Sequence, residues 1–501
     1  MMPAAANAQN SRPASVGVPV APSGLLGGFR LIPAFERDPE HINFACSAAG
    51  KLYLVFAFGM GLAIRNGLRD GLILTAILGI ATFLPQHRRI VLTGGTLLWL
   101  VANPFWFGWI LPKPSGYVSI LPGGLSLPTL CSISLAAVFG FGALVTGWAR
   151  RHPRSLLCTR PVLTLGLLYG AILLFGSYGA PYEAQLAAWL FLTAFGGYFW
   201  FIAYAVADQR ARDRDSIGLQ LGTFHPFWGS TSTPVPKGAA YLRRIEAKDA
   251  HELAVSQWKA LKLFIWACLL SFCNHTFTQI VHGPFHIPTF QEAFDRGAAH
   301  APYPVYVCWL VLVAAFAENL FSITVWGHTI IACCRMAGFR ALRNTYRPLT
   351  ARTIAEFWNR YYFYFKELLV DFFFYPTFFR LFKGRTRLRL AAATFAAAGL
   401  GNMFFHFIRD IGYVPRLGLW RALLGFHVYA FYCLLLSTGI IISQLRTARR
   451  RAQTPSRWSP FKSQFGVLLF FCLLQVFDDT GRTHPITVHL AFFLHLFGIG
   501  G

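Results

Sequence analysis

Charge is scarce in this chain, and acidic charge is scarcest. Only 13% of its 501 residues are charged, and 20 Asp and Glu stand against 45 Lys and Arg. A soluble chain carries about a quarter charged residues, so a large water-soluble globular protein is excluded. No Gly-rich phosphate loop is evident, which argues against nucleotide hydrolysis. The N-terminal stretch is rich in Ala, Pro and Ser and lacks the apolar core of a secretory signal. Residues 1–45 therefore read as a disordered cytosolic tail. The ten cysteines have no metal-ligand spacing, and Cys268, Cys308, Cys433 and Cys472 lie inside apolar runs, as buried free thiols do. No internal repeat of fixed period is visible, and the paired discontinuous segments that mark many secondary transporters are missing.

Apolar sequence is abundant instead, at 55% of the chain. Spans are predicted at 51–65, 71–85, 90–112, 130–148, 161–181, 184–207, 263–283, 303–334, 390–408, 420–445, 463–477 and 485–500, most of them long enough to cross ~30 Å of hydrocarbon. Residues 46–501 thus read as one all-α polytopic membrane domain of about 12 transmembrane helices. The first two runs are short and also fit a re-entrant or interfacial hairpin. The run 303–334 exceeds one span and is expected to bend near Glu318.

Basic residues cluster at the ends of these runs, as in Arg150–Arg160, Arg335–Arg352, Arg380–Arg389 and Arg446–Arg457. That distribution follows the positive-inside rule and not a nucleic-acid surface, so no nucleic-acid partner is expected. With loops 86–90, 149–160, 208–262, 335–353 and 446–459 all cytosolic, alternation holds and both termini are cytosolic. It holds only if 354–376 does not cross. The 208–262 connection is the one sizeable piece outside the membrane, with a loop-like middle (GTFHPFWGSTSTPVPKG) followed by an amphipathic helix.

The segment 354–376, IAEFWNRYYFYFKELLVDFFFYP, mixes eleven aromatics with five charges. On a continuous helix Glu356, Arg360, Tyr364, Glu367 and Asp371 share one narrow face. Such a helix fits the membrane interface, with its rings at headgroup level. It equally fits a re-entrant segment whose polar stripe lines a wet cavity, with Arg360 paired to Glu367 or Glu356. Trp358, Asn359, Arg360, Glu367 and Asp371 are then the candidate substrate-binding residues.

The stretch GFRALRNTYRPLTARTIAEFWNRYYFYFKELLVDFFFYP, 338–376, resembles the membrane-bound O-acyltransferase family, and most of all its bacterial branch of alginate O-acetyltransferases and teichoic-acid D-alanyl transferases. Gly338, Phe339, Asn344, Pro348, Ile354, Phe357, Trp358, Arg360, Asp371 and Pro376 carry the resemblance without a gap. It implies an acyltransferase fold with a catalytic region over 338–410. Where the branch reads Trp-His after the arginine, this chain has Tyr361-Tyr362, so the family's first histidine is Tyr362 here, whose phenol is a poor base near neutral pH.

The resemblance also implies a central histidine in a downstream apolar helix, and His406 is the match. Imidazole titrates near 6.5, so it can take the acceptor's hydroxyl proton as the acyl group arrives. Asn402 and Asp410 lie four residues to either side, on the same helix face. Asp410 is expected to orient the ring and Asn402 to donate to the developing oxyanion. His427, His489 and His495 read as packing or interhelical hydrogen-bonding residues. The run His275, His282, His286 is too loose for a metal site, and none is expected. Glu318 is expected to face the bundle interior and to pair with Arg360 or Arg409.

The resemblance implies an acyl-CoA or acyl-carrier-protein thioester as donor substrate, with no bound cofactor. Acetyl is the group expected to move, and the hydroxyl of an exported or envelope polysaccharide is the expected acceptor, reached with an extracytoplasmic partner in the bacterial inner membrane. The basic run Arg380, Lys383, Arg385, Arg387 and Arg389 suits the donor's phosphates or an acidic carrier, and equally ordinary positive-inside bias. Acylation of a lipid or small secreted molecule remains an alternative, as do a transporter and a family member that has lost activity.

Overall fold

The computed structural model describes residues 31–103, 127–178, 181–211, 213–229, 233–450, 459–479 and 484–499. Outside them lie residues 1–30 of the expected tail, 104–112 and 179–180 in part of two expected spans, 230–232 of the connection and 451–458 of the last basic loop. Residues 31–45 are folded rather than disordered. Pro39–Cys46 is a helix capped by Asp38, and Trp258 Nε1 donates to the His41 carbonyl at 2.9 Å.

Among the described residues the chain is all-helical, and eight helices are long and apolar enough to cross a membrane. They are α1 (Ala48–Asn66), α4 (Thr129–Arg151), α5 (Pro161–Tyr178), α6 (Ala184–Asp208), α7 (Ala250–His282), α8 (Val305–Met336), α11 (Thr386–Arg409) and α12 (Leu419–Thr447). α2 (Leu68–Phe83) and α3 (Arg88–Ala102) meet at Pro85 in a 110° bend and make a ninth crossing only if taken as one broken span. α9 (Ile354–Tyr361) and α10 (Phe363–Leu369) divide the charged aromatic segment. α13 (Ser459–Leu474) and α14 (Ile486–His495) are apolar but short. The difference from twelve expected spans lies in those two short helices and in the bent pair.

α6 is the hub. It is apolar on every side, as a helix surrounded by protein should be, and 78% of its most apolar stretch is buried. Phe195, Tyr198, Phe199 and Trp200 centre the largest core. α7 and α8 form the longest antiparallel pair: the Ser256 hydroxyl donates to the Arg335 carbonyl at 2.9 Å, and Thr278 donates to Glu318 at 2.7 Å. α8 is one unbroken helix through Glu318. α7 starts at the Asp249 cap, whose carboxylate accepts from Glu252 N–H at 2.7 Å, and so absorbs most of the amphipathic stretch of the connection. All ten cysteines are unpaired, and Cys268 and Cys273 are exposed on α7 rather than buried.

The basic loops share one face. Arg150 donates to the Asp215 carbonyl at 2.8 Å, Arg88 to the Ala247 carbonyl at 3.0 Å, and Arg340 to Glu252 at 2.6 Å. Arg89 pairs with the Asp215 carboxylate. Gln464 reaches the Thr350 carbonyl at 3.4 Å, which brings the start of α13 to the same end. Histidines of the other end bind main chain there: His282 with Ile287, and His495 with Tyr303.

The connection is not the solvated loop its composition suggested. Phe224, His225, Phe227, Trp228 and Val235 are all buried. Trp228 donates to the Val235 carbonyl at 2.9 Å and packs edge-on against Phe339 at 5.8 Å. These rings form a plug inside the basic end of the bundle.

Two π-helical turns, Val370–Phe374 and Phe395–Gly401, pack against each other beside that plug. Turns of this kind recur at functional sites. Gly401 permits the contact, because a Cβ there would lie 2.7 Å from the Phe373 ring. Gly401→Ala is expected to destabilise the fold by about 1–3 kcal/mol through overpacking. A fluorescence-detected melting curve in detergent checks this, and an unchanged midpoint would show that the two turns yield easily.

Candidate functional site

The charged aromatic segment breaks at Tyr362 because neighbouring chain takes its hydrogen bonds. Phe363 N–H donates to the Asn344 carbonyl at 2.9 Å, Tyr346 N–H to the Arg360 carbonyl at 2.8 Å, and the Thr345 hydroxyl to the Tyr361 carbonyl at 2.8 Å. The expected continuous stripe is thereby divided. Glu356 and Arg360 pair with each other, and Arg360 also donates to Thr350 at 2.6 Å. Tyr364, expected on the polar face, is fully buried and accepts no cavity contact. Glu367 and Asp371 lie beyond the break in a separate cluster.

Lys237, from the end of the plug, organises that cluster. Its ammonium sits 2.8 Å from Glu367 and 2.7 Å from Asp371. Tyr204 on α6 donates to Asp371 at 2.8 Å, and Lys366 also pairs with Glu367. Burial works against the charge of Lys237, but the two carboxylates outweigh it and hold the ammonium above its usual range. Sequence reasoning missed Lys237, whose only signal was a lone lysine at the end of a polar loop.

A cavity of about 270 Å³ lies between α8, α9, α10, α11, α12 and the chain after α13. It takes Trp358 and Tyr362 from the charged aromatic segment, His406 and Arg409 from α11, Tyr429 and Tyr432 from α12, and Gln475 and Asp478 from the end beyond α13. Thr233 of the plug and Asn319 of α8 complete its polar wall. Asn359 is exposed elsewhere, and Arg360, Glu367 and Asp371 do not line the cavity.

His406 stands in an aromatic cage, with Tyr429 at 4.3 Å, Phe405 at 5.3 Å and Phe365 at 6.1 Å between ring centroids. Its Nδ1 is buried with no hydrogen-bond partner among the described residues. A buried polar atom left unpaired is costly unless a ligand or water satisfies it. His427 and His489, by contrast, each bind main chain, at 2.5 Å to Leu424 and 2.7 Å to Val476.

Three expectations, two about the neighbours of His406 and one about Glu318, are corrected. Asp410 does not orient its ring, because Arg409 takes that carboxylate with two bonds of 2.7 and 3.0 Å. A guanidinium fork one residue away matches both carboxylate oxygens and outcompetes a single ring nitrogen. Asn402 does not face the cavity. It is fully buried and accepts from the Tyr429 hydroxyl at 3.2 Å, so it positions a ring of the cage. Glu318 pairs with neither Arg360 nor Arg409, but accepts from Thr278 and lies 3.2 Å from His282. Among the described residues no group of His, Cys, Asp or Glu is arranged to hold a metal ion.

Tyr362 donates to Thr233 at 3.3 Å, and burial pushes its phenol up to about 12. It is therefore a neutral donor at the cavity wall. Asp478 was missed from sequence, although an Asp478-Asp479 pair closing an apolar run was a visible signal. Its side chain is exposed at the cavity wall, although protein crowds the carboxyl. Burial pushes its carboxyl up to about 6, against the pull of Arg409. The native state thus holds this proton more tightly than the unfolded chain, whose value is 3.8. Ionisation of Asp478 removes stability as pH rises from 3.8 to about 6. Asp478→Asn is expected to raise the melting temperature more at pH 7 than at pH 5. An equal change at both values would mean that the carboxyl is freely hydrated.

The cavity can hold a small uncharged or partly polar group against a histidine nitrogen. Its wall also carries a neutral phenol, two amides, a guanidinium and a carboxyl. No protein-family profile matches the chain, and no curated protein matches it significantly.

Proposed function

We propose that this chain is a membrane-embedded acyltransferase of the membrane-bound O-acyltransferase type. In this reading it moves an acyl group, acetyl first among candidates, from a cytosolic thioester to a hydroxyl. The observation that carries the reading is His406, whose buried ring nitrogen lacks a partner in a cavity that also receives Trp358 and Tyr362 of the segment resembling that family.

In the reaction His406 accepts the acceptor's hydroxyl proton while the oxygen attacks the thioester carbonyl. The carbon–sulfur bond then breaks, and the leaving thiolate recovers the proton from the imidazolium. The amides of Asn319 and Gln475 are the neutral donors available to the oxyanion. The finer topology belongs to the same proposal. The segment 354–376 is re-entrant, α13 adds a crossing, and the basic face is cytosolic with the N-terminus on it, whereas α14 lies at the opposite end, where Ile486 N–H donates to His427 at 3.1 Å and His495 meets the Tyr303 carbonyl at 2.8 Å. The donor, acyl-CoA or an acyl carrier protein, enters from that face past Arg380–Arg389. The acceptor, an envelope or exported polysaccharide, approaches from the other side of a bacterial inner membrane.

The test is release of free thiol by the purified full-length protein. Acetyl-CoA, longer acyl-CoAs and acyl carrier protein are each offered with and without envelope extract. Thiol release that requires an acceptor is the expected result. Its absence with every donor, by protein shown to be folded by its melting curve, would sink the acyltransferase reading.

A further inference from the structure

Beside α5, on the basic end of the bundle, lies a second and larger hollow of about 690 Å³, separate from the His406 cavity. Three guanidiniums reach it from three separate stretches of chain. Arg160 directly precedes α5, Arg210 directly follows α6, and Arg380 follows the π turn Val370–Phe374. All three are exposed, and none has a side-chain hydrogen bond or ion pair among the described residues. The one carboxylate on the wall, Asp371, is already taken by Lys237 at 2.7 Å and by the Tyr204 hydroxyl at 2.8 Å. The mouth of the hollow is therefore cationic without a counter-charge of its own.

Its walls are of opposite character. Leu163 and Leu167 of α5 face Phe373 and Phe404 across it. Gly166 keeps the floor narrow, since a Cβ there would sit 3.1 Å from the Phe404 ring. Leu167 lies seven residues beyond Arg160, roughly 10 Å deeper along the helix. α5 is itself peripheral, with only 28% of its apolar window buried, and Leu163 and Leu167 are 46% and 65% exposed. The hollow thus opens sideways along the surface that an apolar helix turns to hydrocarbon, with cations where that surface meets the basic loops.

We propose that this groove binds an anionic membrane phospholipid, its phosphate held by Arg160, Arg210 and Arg380 and one acyl chain laid between α5 and Phe404. Charge complementarity selects the headgroup, because guanidiniums bind phosphate oxygens with charge-assisted bonds. The lateral opening and the apolar depth select a lipid over a soluble anion, which would leave both unused. This inference stands apart from the acyl-transfer reading, since no residue of the His406 cavity takes part.

The experiment uses full-length protein in nanodiscs of dioleoyl-phosphatidylcholine doped with dioleoyl-phosphatidylglycerol. Retained lipid is counted by native mass spectrometry after mild extraction. Each cation near an anionic phosphate is worth about fivefold in affinity, so wild type is expected to retain phosphatidylglycerol over phosphatidylcholine by about tenfold or more. Arg160→Gln/Arg210→Gln/Arg380→Gln should abolish that preference while keeping its melting temperature in pure phosphatidylcholine. Arg385→Gln/Arg387→Gln, equally basic but outside the groove, should keep the preference. An unchanged preference in the triple variant, or an equal loss in the control, would overturn the site in favour of diffuse surface charge. Displacement of the retained lipid by glycerol phosphate or by coenzyme A would overturn the lipid assignment in favour of a soluble phosphate ligand.

Discussion

Replacing His406 by glutamine is expected to lower acyl transfer about a hundred- to ten-thousand-fold, the usual worth of a positioned general base. Glutamine is polar and of similar reach, so the Tyr429 and Phe365 rings keep a filler and the melting temperature should change little. The informative comparison is with Asp410→Asn. If Asp410 oriented the imidazole, that variant would lose activity nearly as severely. Its carboxylate instead binds Arg409, so its effect should fall on stability and leave the rate within about an order of magnitude, as expected when a base is held by packing alone. Thiol-release rates of the three proteins decide the matter. Full activity in His406→Gln would remove the histidine from the chemistry and leave its unpaired nitrogen to be satisfied by water.

The second large effect concerns Lys237. Replacing it by methionine keeps the volume but strips the shared cation from Glu367 and Asp371, which then face each other across a partly buried site. Removing one partner of a fully buried pair costs about 3–5 kcal/mol. These carboxylates retain 23% and 28% side-chain exposure, so about 2–3 kcal/mol is expected here. The variant should melt markedly lower, and adding Asp371→Asn should recover part of the loss, since Asp371 is the carboxylate left without a cation while Glu367 keeps Lys366. A double variant as unstable as the single one would mean that Lys237 matters for packing rather than charge. The cluster joins the plug, α6 and the π turn, so its loss should also loosen the wall nearest the proposed lipid groove.

Much of this architecture was legible because hydrocarbon imposes length and composition together. Runs such as 130–148, 184–207 and 420–445 correspond to single long helices for that reason. The bend at Pro85 was not legible as a bend, since a hydropathy window averages across it. The charged aromatic segment shows a different limit. Helical periodicity placed Glu356, Arg360, Glu367 and Asp371 on one face, but that argument assumes an uninterrupted ladder. Asn344, Thr345 and Tyr346 compete for the same backbone groups and split the face in two, and nothing within 354–376 announces it. His406 and Trp358 were found in sequence through the resemblance carried by 338–376, which singled out one histidine among several in apolar runs. Tyr429 and Gln475 were not, because tyrosine and glutamine are unremarkable there until the fold turns them inward. The plug was hidden by its polar composition, although Phe224, Phe227 and Trp228 in so short a loop were an unused sign of burial.

The plug also constrains how the protein is made. Thr233 meets Tyr362 across 129 residues of sequence, and Lys237 waits for Glu367 and Asp371 over a similar distance. Ribosomes add about 5–20 residues per second, so these partners arrive on the order of ten seconds after the plug has left the exit tunnel. During that interval Trp228 lacks the Phe339 ring and the charged Lys237 lacks both of its carboxylates. Truncated chains ending before Tyr362 should therefore be recognised as unfinished and degraded, even with their preceding spans correctly inserted.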